Sequence, residues 1–310
     1  MGLDMHHITR DQPMTEHTIT LLDGGMGQEL RKRTQAPATP LWSAQVMRDE
    51  PDLVAAVHRD YIAAGADVIT VNTYVATPQR LARDGDPAWF DSLQKAALDA
   101  AHSARDKSDC RVRIAGCLPP LVASYHAELI PDDATCQRDY ARLVEVQAGG
   151  VDLFIAETMS LTREAVAAAH AGGQSGRPVW IAFTVDDQDG TRLRSGEPLA
   201  DAASAVVEAG ADAVLINCSA PEAVTTAMPI LAGRGVPFGG YANGFEAAAE
   251  LEAGGTVDAL AARESMTPAV YAGHVRDWID AGATIVGGCC EIGPAHIAEL
   301  HRRFGGLNRA

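Results

Sequence analysis

The sequence predicts an α/β protein folded as a single (β/α)8 barrel, and three observations carry that prediction. A joint of helix end, glycine and apolar run recurs four times, as Ala64-Gly65-Ala66-Asp67-Val68-Ile69, Ala148-Gly149-Gly150-Val151-Asp152-Leu153, Ala209-Gly210-Ala211-Asp212-Ala213-Val214 and Ala281-Gly282-Ala283-Thr284-Ile285-Val286. Each copy closes an alanine-rich helix on a glycine suited to a left-handed cap and opens a strand within a few residues. Eight short apolar runs of the kind found in parallel sheets covered on both faces make the second observation. The third is length: 310 residues accommodate a closed barrel of alternating strands and helices as one domain. An open, doubly wound sheet satisfies the same alternation.

In chain order, residues 1–17 are polar, with neither the apolar stretch of a signal peptide nor the Arg-rich character of a transit peptide, and read as a disordered tail. Residues 18–310 are assigned to the barrel, with no Pro/Ser-rich linker to divide them. The expected strands are Ile19 to Leu22, Val68 to Val71, Val112 to Ala115, Leu153 to Ala156, Val179 to Phe183, Ala213 to Ile216, Pro237 to Tyr241 and Thr284 to Gly287. The clearest helix runs from Leu53 to Ala64 behind Asp49, Glu50 and Pro51, with Leu53, Val54, Val57, Tyr61 and Ile62 on one face. A further helix starts at Pro294.

The formal charge of −16, with only the short Arg31-Lys32-Arg33 run standing against it, argues against a nucleic-acid partner. It is compatible with a cationic substrate, although most of it belongs to solvated helix surface. No apolar run approaches the roughly 20 residues of a membrane span, so a cytoplasmic protein is expected. Six cysteines in a chain of this length do not make a small disulfide framework, and clustered ones in a reducing compartment point to metal or catalysis. Cys110 and Cys136 have no evident partner and read as incidental.

In a barrel, function gathers just past the carboxyl ends of the strands. Those positions hold Asp23, Asn72-Thr73-Tyr74, Cys117, Glu157-Thr158, Phe183-Thr184, Cys218, Asn243 and the adjacent pair Cys289-Cys290. The pair alone reads equally as small buried residues or as two metal ligands. Cys218, two strands away, supplies a third thiol at the same mouth. Three thiolates hold one zinc ion and leave its fourth tetrahedral position open, which means catalysis rather than structure. Cys117, beside Pro119-Pro120, reads as a small buried thiol rather than a fourth ligand.

A trithiolate zinc is soft and suits a further sulfur. Coordination deprotonates a substrate thiol that in water is only a few per cent thiolate. The expected reaction is attack of that sulfur on an electrophilic carbon. Hydrolysis is disfavoured, because the His-x-His pair and carboxylate ligands of hydrolytic metal barrels are missing.

The segments NCSAP around Cys218, GGCC with Cys289 and Cys290, LLDGGMG with Asp23 and YANGF with Asn243 resemble the homocysteine S-methyltransferase family of zinc-dependent (β/α)8 barrels, over about residues 18 to 301. Pro40-Leu41-Trp42-Ser43-Ala44, Ala76-Thr77-Pro78, Asp189-Gly190-Thr191 and Ser195-Gly196 resemble its S-methylmethionine-using branch. The resemblance implies zinc on Cys218, Cys289 and Cys290. It implies an amino group of homocysteine held by Asp23 and Glu157, with Thr158 beside them, and an Asn243 near the metal. Read as residues alone, the two acids are equally helix caps and Asn243 a turn residue before Gly244. Trp42, Asn72, Tyr74 and Phe183 are placed on the methyl-donor side, where aromatic faces suit a sulfonium or ammonium; Trp42 and Tyr74 serve equally as core.

Two departures bear on the donor: Gly27-Gln28 stands where the family often has Gly-Thr, and the loop CLPPLVASYHAELIP after strand three differs from the S-methylmethionine pattern. The 310 residues show no cobalamin or folate module and no long C-terminal extension of the betaine-using kind. The expectation is therefore transfer from a small cationic donor, S-methylmethionine before a betaine, to homocysteine, giving methionine. A corrinoid-protein donor or a selenocysteine acceptor are variants of the same chemistry. A zinc or thiol-redox binding protein without turnover is the competing class.

Overall fold

A computed structural model describes residues 19–35, 39–246 and 260–305; the expected tail over residues 1–17 lies outside them. Eight parallel strands form one sheet: β1 (Thr20–Leu21), β2 (Val68–Thr70), β3 (Arg113–Leu118), β4 (Leu153–Met159), β5 (Val179–Phe183), β6 (Ala213–Asn217), β7 (Phe238–Tyr241) and β8 (Ile285–Val286). Neighbours follow chain order, and β1 returns to pair with β8. A parallel bridge between Leu22 and Val68 joins the remaining edges, so the ring closes and the open-sheet alternative falls. Helices Pro51–Ala63, Phe90–Asp106, Asp133–Gln147, Thr162–Gly173, Leu199–Glu208, Pro221–Leu231, Pro268–Asp280 and Pro294–Phe304 alternate with the strands. Among the described residues no helix is long and apolar enough to cross a membrane.

The recurring joint behaves as its chemistry demands in three copies. Gly65, Gly210 and Gly282 take φ of 103°, 95° and 102°, a backbone that costs an L side chain about 1–2 kcal/mol. The Ala148 copy differs, passing through a 3-10 turn at Ala148–Gly150, because its glycine stands one residue further from the aspartate that follows. That aspartate has a task of its own. Asp67, Asp152 and Asp212 accept backbone N–H bonds from Leu21, Ile114 and Val179 of the preceding strand at 2.8, 2.8 and 2.7 Å. Each pins the amino end of one even-numbered strand to its odd-numbered neighbour.

Side-chain alternation divides the apolar residues into two layers. Leu22, Val68, Leu153, Ile155, Trp180, Ala182, Leu215, Tyr241 and Ile285 cluster inside the barrel. Phe154, Ile181, Phe183, Val214 and Ile216 face outward and pack with helix residues such as Ala165, Leu199 and Val206. Two element limits differ from expectation. The first long helix starts at Pro51, since proline at the first helical position gives up no hydrogen bond. Strands β3 and β4 run on to Leu118 and Met159, so Cys117 and Glu157 stand within strands rather than beyond them.

Candidate active site and metal centre

A cavity of about 200 Å³ opens at the carboxyl ends of the strands. Its lining comes from the loops after β1, β2 and β3, the tops of β4 and β7, and the turns after β6 and β8. At one end stand Cys218, Cys289 and Cys290, whose sulfur atoms all lie within 4.8 Å of one another. Cys218 would face the helices if β6 continued regularly. A φ of 48° turns the backbone there, and the thiol enters the mouth.

The other two thiols are set by a loop tied to its neighbours: the Cys289 N–H donates to the Ala242 carbonyl at 2.9 Å, Gly288 N–H to Asp23 O at 3.0 Å and Gly244 N–H to Cys290 O at 2.9 Å. Gly288 permits this crowding, because a Cβ there would fall 2.2 Å from Ile292 Cγ2.

The sulfur separations test whether a metal fits. Tetrahedral zinc with bonds of about 2.3 Å implies sulfur–sulfur edges of about 3.8 Å. Cys218 to Cys290 is 3.8 Å, Cys289 to Cys290 is 3.9 Å and Cys218 to Cys289 is shorter at 2.9 Å. Two edges match and the donor set is three soft sulfurs from one cluster, so the residues fit a thiophilic ion. The Cys218 thiol is held well below its ordinary range by hydrogen bonds from Cys289 and Cys290 and from the Tyr125 hydroxyl at 3.0 Å, while the same bonds push its two partners up. One thiolate is thus ready before any ion arrives. Arg194 stacks its guanidinium 4.6 Å from the Tyr125 ring centroid and holds that tyrosine from behind.

Two buried acids line the same cavity. Asp23, 7 % exposed, accepts the Thr70 N–H through Oδ2 at 2.8 Å. Burial first, and the neighbouring Glu157 second, push its carboxyl up to about 8. Burial pushes Glu157 up to about 7, partly countered by the Cys117 thiol, which donates to Oε1 at 3.0 Å. Acids this far from water favour the neutral form until a cation joins them. They are built for an ammonium.

Thr158, beside Glu157, takes φ of 61° at a shift in register between β4 and β5. A β-branched residue resists that conformation. Asn217 secures it, accepting the Thr158 N–H at 2.8 Å and donating to Thr158 Oγ1 at 2.9 Å. This kink is what keeps both Glu157 and Thr158 in the cavity lining.

Of the remaining expected residues, Asn72 and Tyr74 line the cavity. Asn72 Nδ2 donates to Ser43 O at 3.3 Å, and the Tyr74 hydroxyl lies 2.8 Å from Ser124 Oγ. Trp42 opens the helix Trp42–Asp49, and its side chain lies outside what the structure describes. Phe183 ends β5 on its outward face and packs under the helices, so it does not reach the cavity: strand alternation gives that direction to Ala182 instead. Asn243 does not line the cavity either. Its Oδ1 accepts the Phe245 N–H at 3.1 Å in a local turn, while its Nδ2 is buried without a partner.

Several lining residues had no signal in the sequence. Gln28, Arg80, Ser124 and Tyr125 join the wall through loops, and Cys117 reaches Glu157 from the adjacent strand. The divergent loop after β3 pointed towards Ser124 and Tyr125 without naming them.

A closed parallel barrel with a three-sulfur centre and two buried acids at its catalytic end defines a metal-dependent type of barrel enzyme acting on a small cationic and thiol-bearing substrate. Comparison with known proteins narrows this. The pattern of the family described as homocysteine S-methyltransferase matches residues 20–304. Homocysteine S-methyltransferase of Escherichia coli (strain K12) is 32% identical over 94% of this chain and 96% of its own length. Selenocysteine Se-methyltransferase of Brassica oleracea var. italica is 30% identical over 92% and 88%. The crystal structure of the homocysteine methyltransferase MmuM from Escherichia coli in its metallated form superposes with a TM-score of 0.77 at 29% identity, covering 92% of this chain and 96% of that one. The chain belongs to the homocysteine S-methyltransferase family, and it is an enzyme of that activity.

Proposed function

We propose that this enzyme moves a methyl group from a small cationic donor, S-methylmethionine first, to homocysteine sulfur, using zinc held by Cys218, Cys289 and Cys290. The observation that carries the reading is the placement of three thiols and two buried carboxylates on the wall of one small cavity. Bound zinc supplies a soft Lewis acid that keeps a substrate sulfur deprotonated and nucleophilic at neutral pH. The protein supplies the rest.

Asp23 and Glu157 receive the ammonium of homocysteine and lose their protons as it binds, because an adjacent cation reverses the cost of ionisation. With the amino end held there and the sulfur at the thiol cluster, the substrate spans the cavity in one orientation. Asn72 and Tyr74 stand on the side from which the donor approaches, Tyr74 offering an aromatic face to a sulfonium. A static framework serves a displacement well, since the gain comes from holding nucleophile and electrophile in line.

The test is turnover of homocysteine by the zinc-loaded protein with S-methylmethionine, with a betaine and with neither. Methionine formation with the first is expected; zinc-loaded protein inert with every donor overturns the reading. Metal analysis separates an enzyme from a redox-responsive binder. About one zinc per chain, lost together with activity in Cys218→Ala, supports the enzyme, and zinc-free protein with an oxidised cysteine pair refutes it. The relative named for selenocysteine Se-methylation supports trying selenocysteine as a second acceptor in the same assay.

A further inference from the structure

Among the described lining of the cavity one residue is basic: Arg80, in the short helix Pro78–Asp84. It is 8 % exposed. A guanidinium cannot shed its charge, so burying it costs free energy unless an anion answers it. The contacts present do not. Nε and Nη2 donate to the Pro120 carbonyl at 3.4 and 3.2 Å, and Nη2 reaches Ser124 Oγ at 3.5 Å. The group lies 5.3 Å from the centroid of the Tyr74 ring. Nη1 has no partner among the described residues. Glu164 is near enough to be felt, but its Oε1 accepts the Leu121 N–H and the Tyr140 hydroxyl and makes no ion pair with Arg80.

Charge complementarity says what is missing. Homocysteine and S-methylmethionine each carry an ammonium and a carboxylate. Asp23 and Glu157 answer the ammonium, and the thiols answer the sulfur. No other described cation in the wall remains for a carboxylate. We propose that Arg80, backed by Ser124 and the Tyr74 ring, is the carboxylate-binding residue of this active site, taking the α-carboxylate of an amino-acid substrate. This rests on the function proposed above and adds a requirement to it: the enzyme should prefer substrates that bear a carboxylate over decarboxylated counterparts with the same sulfur and ammonium.

The experiment is calorimetric binding to zinc-loaded protein, which is independent of turnover. The probes are L-homocysteine against 3-aminopropane-1-thiol, and S-methyl-L-methionine against (3-aminopropyl)dimethylsulfonium. Wild type should bind at least one amino acid about tenfold or more tightly than its decarboxylated partner, as expected for a hydrogen bond between charged groups. Arg80→Gln should erase that preference while leaving affinity for the decarboxylated compound within about twofold, and Arg80→Lys should restore part of it. An effect confined to the homocysteine pair assigns the carboxylate to the acceptor, and one confined to the S-methylmethionine pair assigns it to the donor; both support the site. Equal affinity of wild type for both members of each pair overturns it, whether or not Arg80→Gln folds. So does a loss in Arg80→Gln that strikes carboxylated and decarboxylated compounds alike. Failure of methyl transfer alone, with the carboxylate preference intact, counts against the proposed reaction and leaves the binding site standing.

Discussion

Asp23→Asn separates stability from function at one atom. The amide keeps the shape of the side chain and an acceptor oxygen for the Thr70 N–H, and it removes ionisation. In the wild type, burial and Glu157 push the carboxyl from 3.8 up to about 8. The folded protein therefore keeps a proton that the unfolded chain releases above about pH 4. Stability from this group is complete below about pH 4 and is lost as pH rises towards about 8. At 1.36 kcal/mol per pH unit, the loss accumulated by pH 7 is about 4 kcal/mol as a ceiling.

Partial solvation of the cavity trims that figure, and about 2 kcal/mol is a reasonable share to recover on substitution. At about 2 °C per kcal/mol for a chain of this size, Asp23→Asn should melt about 4 °C above wild type near pH 7, with about 8 °C as the limit. The gap should widen with pH between about 5.5 and 8. The assay is a series of calorimetric melts of zinc-loaded, substrate-free protein across that range, with KM for homocysteine measured alongside. KM should rise about tenfold or more as the ammonium loses a charged partner. A gap that is flat with pH, or a variant that melts below wild type at the alkaline end, would refute the account of Asp23 as a carboxyl held neutral by burial.

Three further outcomes follow from the same geometry. Glu157→Gln should raise KM for homocysteine about tenfold to a hundredfold with zinc content unchanged by metal analysis, and loss of zinc would count against its assignment to the amino group. Cys117→Ala removes the donor 3.0 Å from Glu157 Oε1 and should raise KM for homocysteine about threefold to tenfold; Cys117→Ser, which keeps a donor, should recover most of it in the same steady-state assay. Gly239→Ala places a Cβ 1.7 Å from the Ile285 carbonyl oxygen, so β7 and β8 must separate. A loss of about 4 kcal/mol or more is expected, read as insoluble expression or a melt lowered by several degrees.

The barrel itself was legible in the chain because its signals are local. Helix-capping glycines, alanine-rich helices and short apolar strands each depend on neighbours a few residues away, and their repetition around Gly65, Gly210 and Gly282 marked the αβ joints directly. The three cysteines were legible too, since strand order alone brings the ends of β6 and β8 to one rim. What sequence could not settle were directions and distant partners. Phe183 looked available at a strand end, and alternation turned it under the helices. Cys218 would have turned the same way but for a left-handed backbone that no pattern announces.

Composition and periodicity thus determined the architecture, the mouth and the thiol chemistry of this enzyme. Tertiary structure alone decided which side chains share the cavity. It joined Cys117 to Glu157 across 40 residues and Asn217 to Thr158 across 59, and it buried Arg80 with one nitrogen unanswered. Those contacts arise where strands and loops remote in the chain close on one another, and their energies depend on exclusion of water from a space that forms only when the ring is complete.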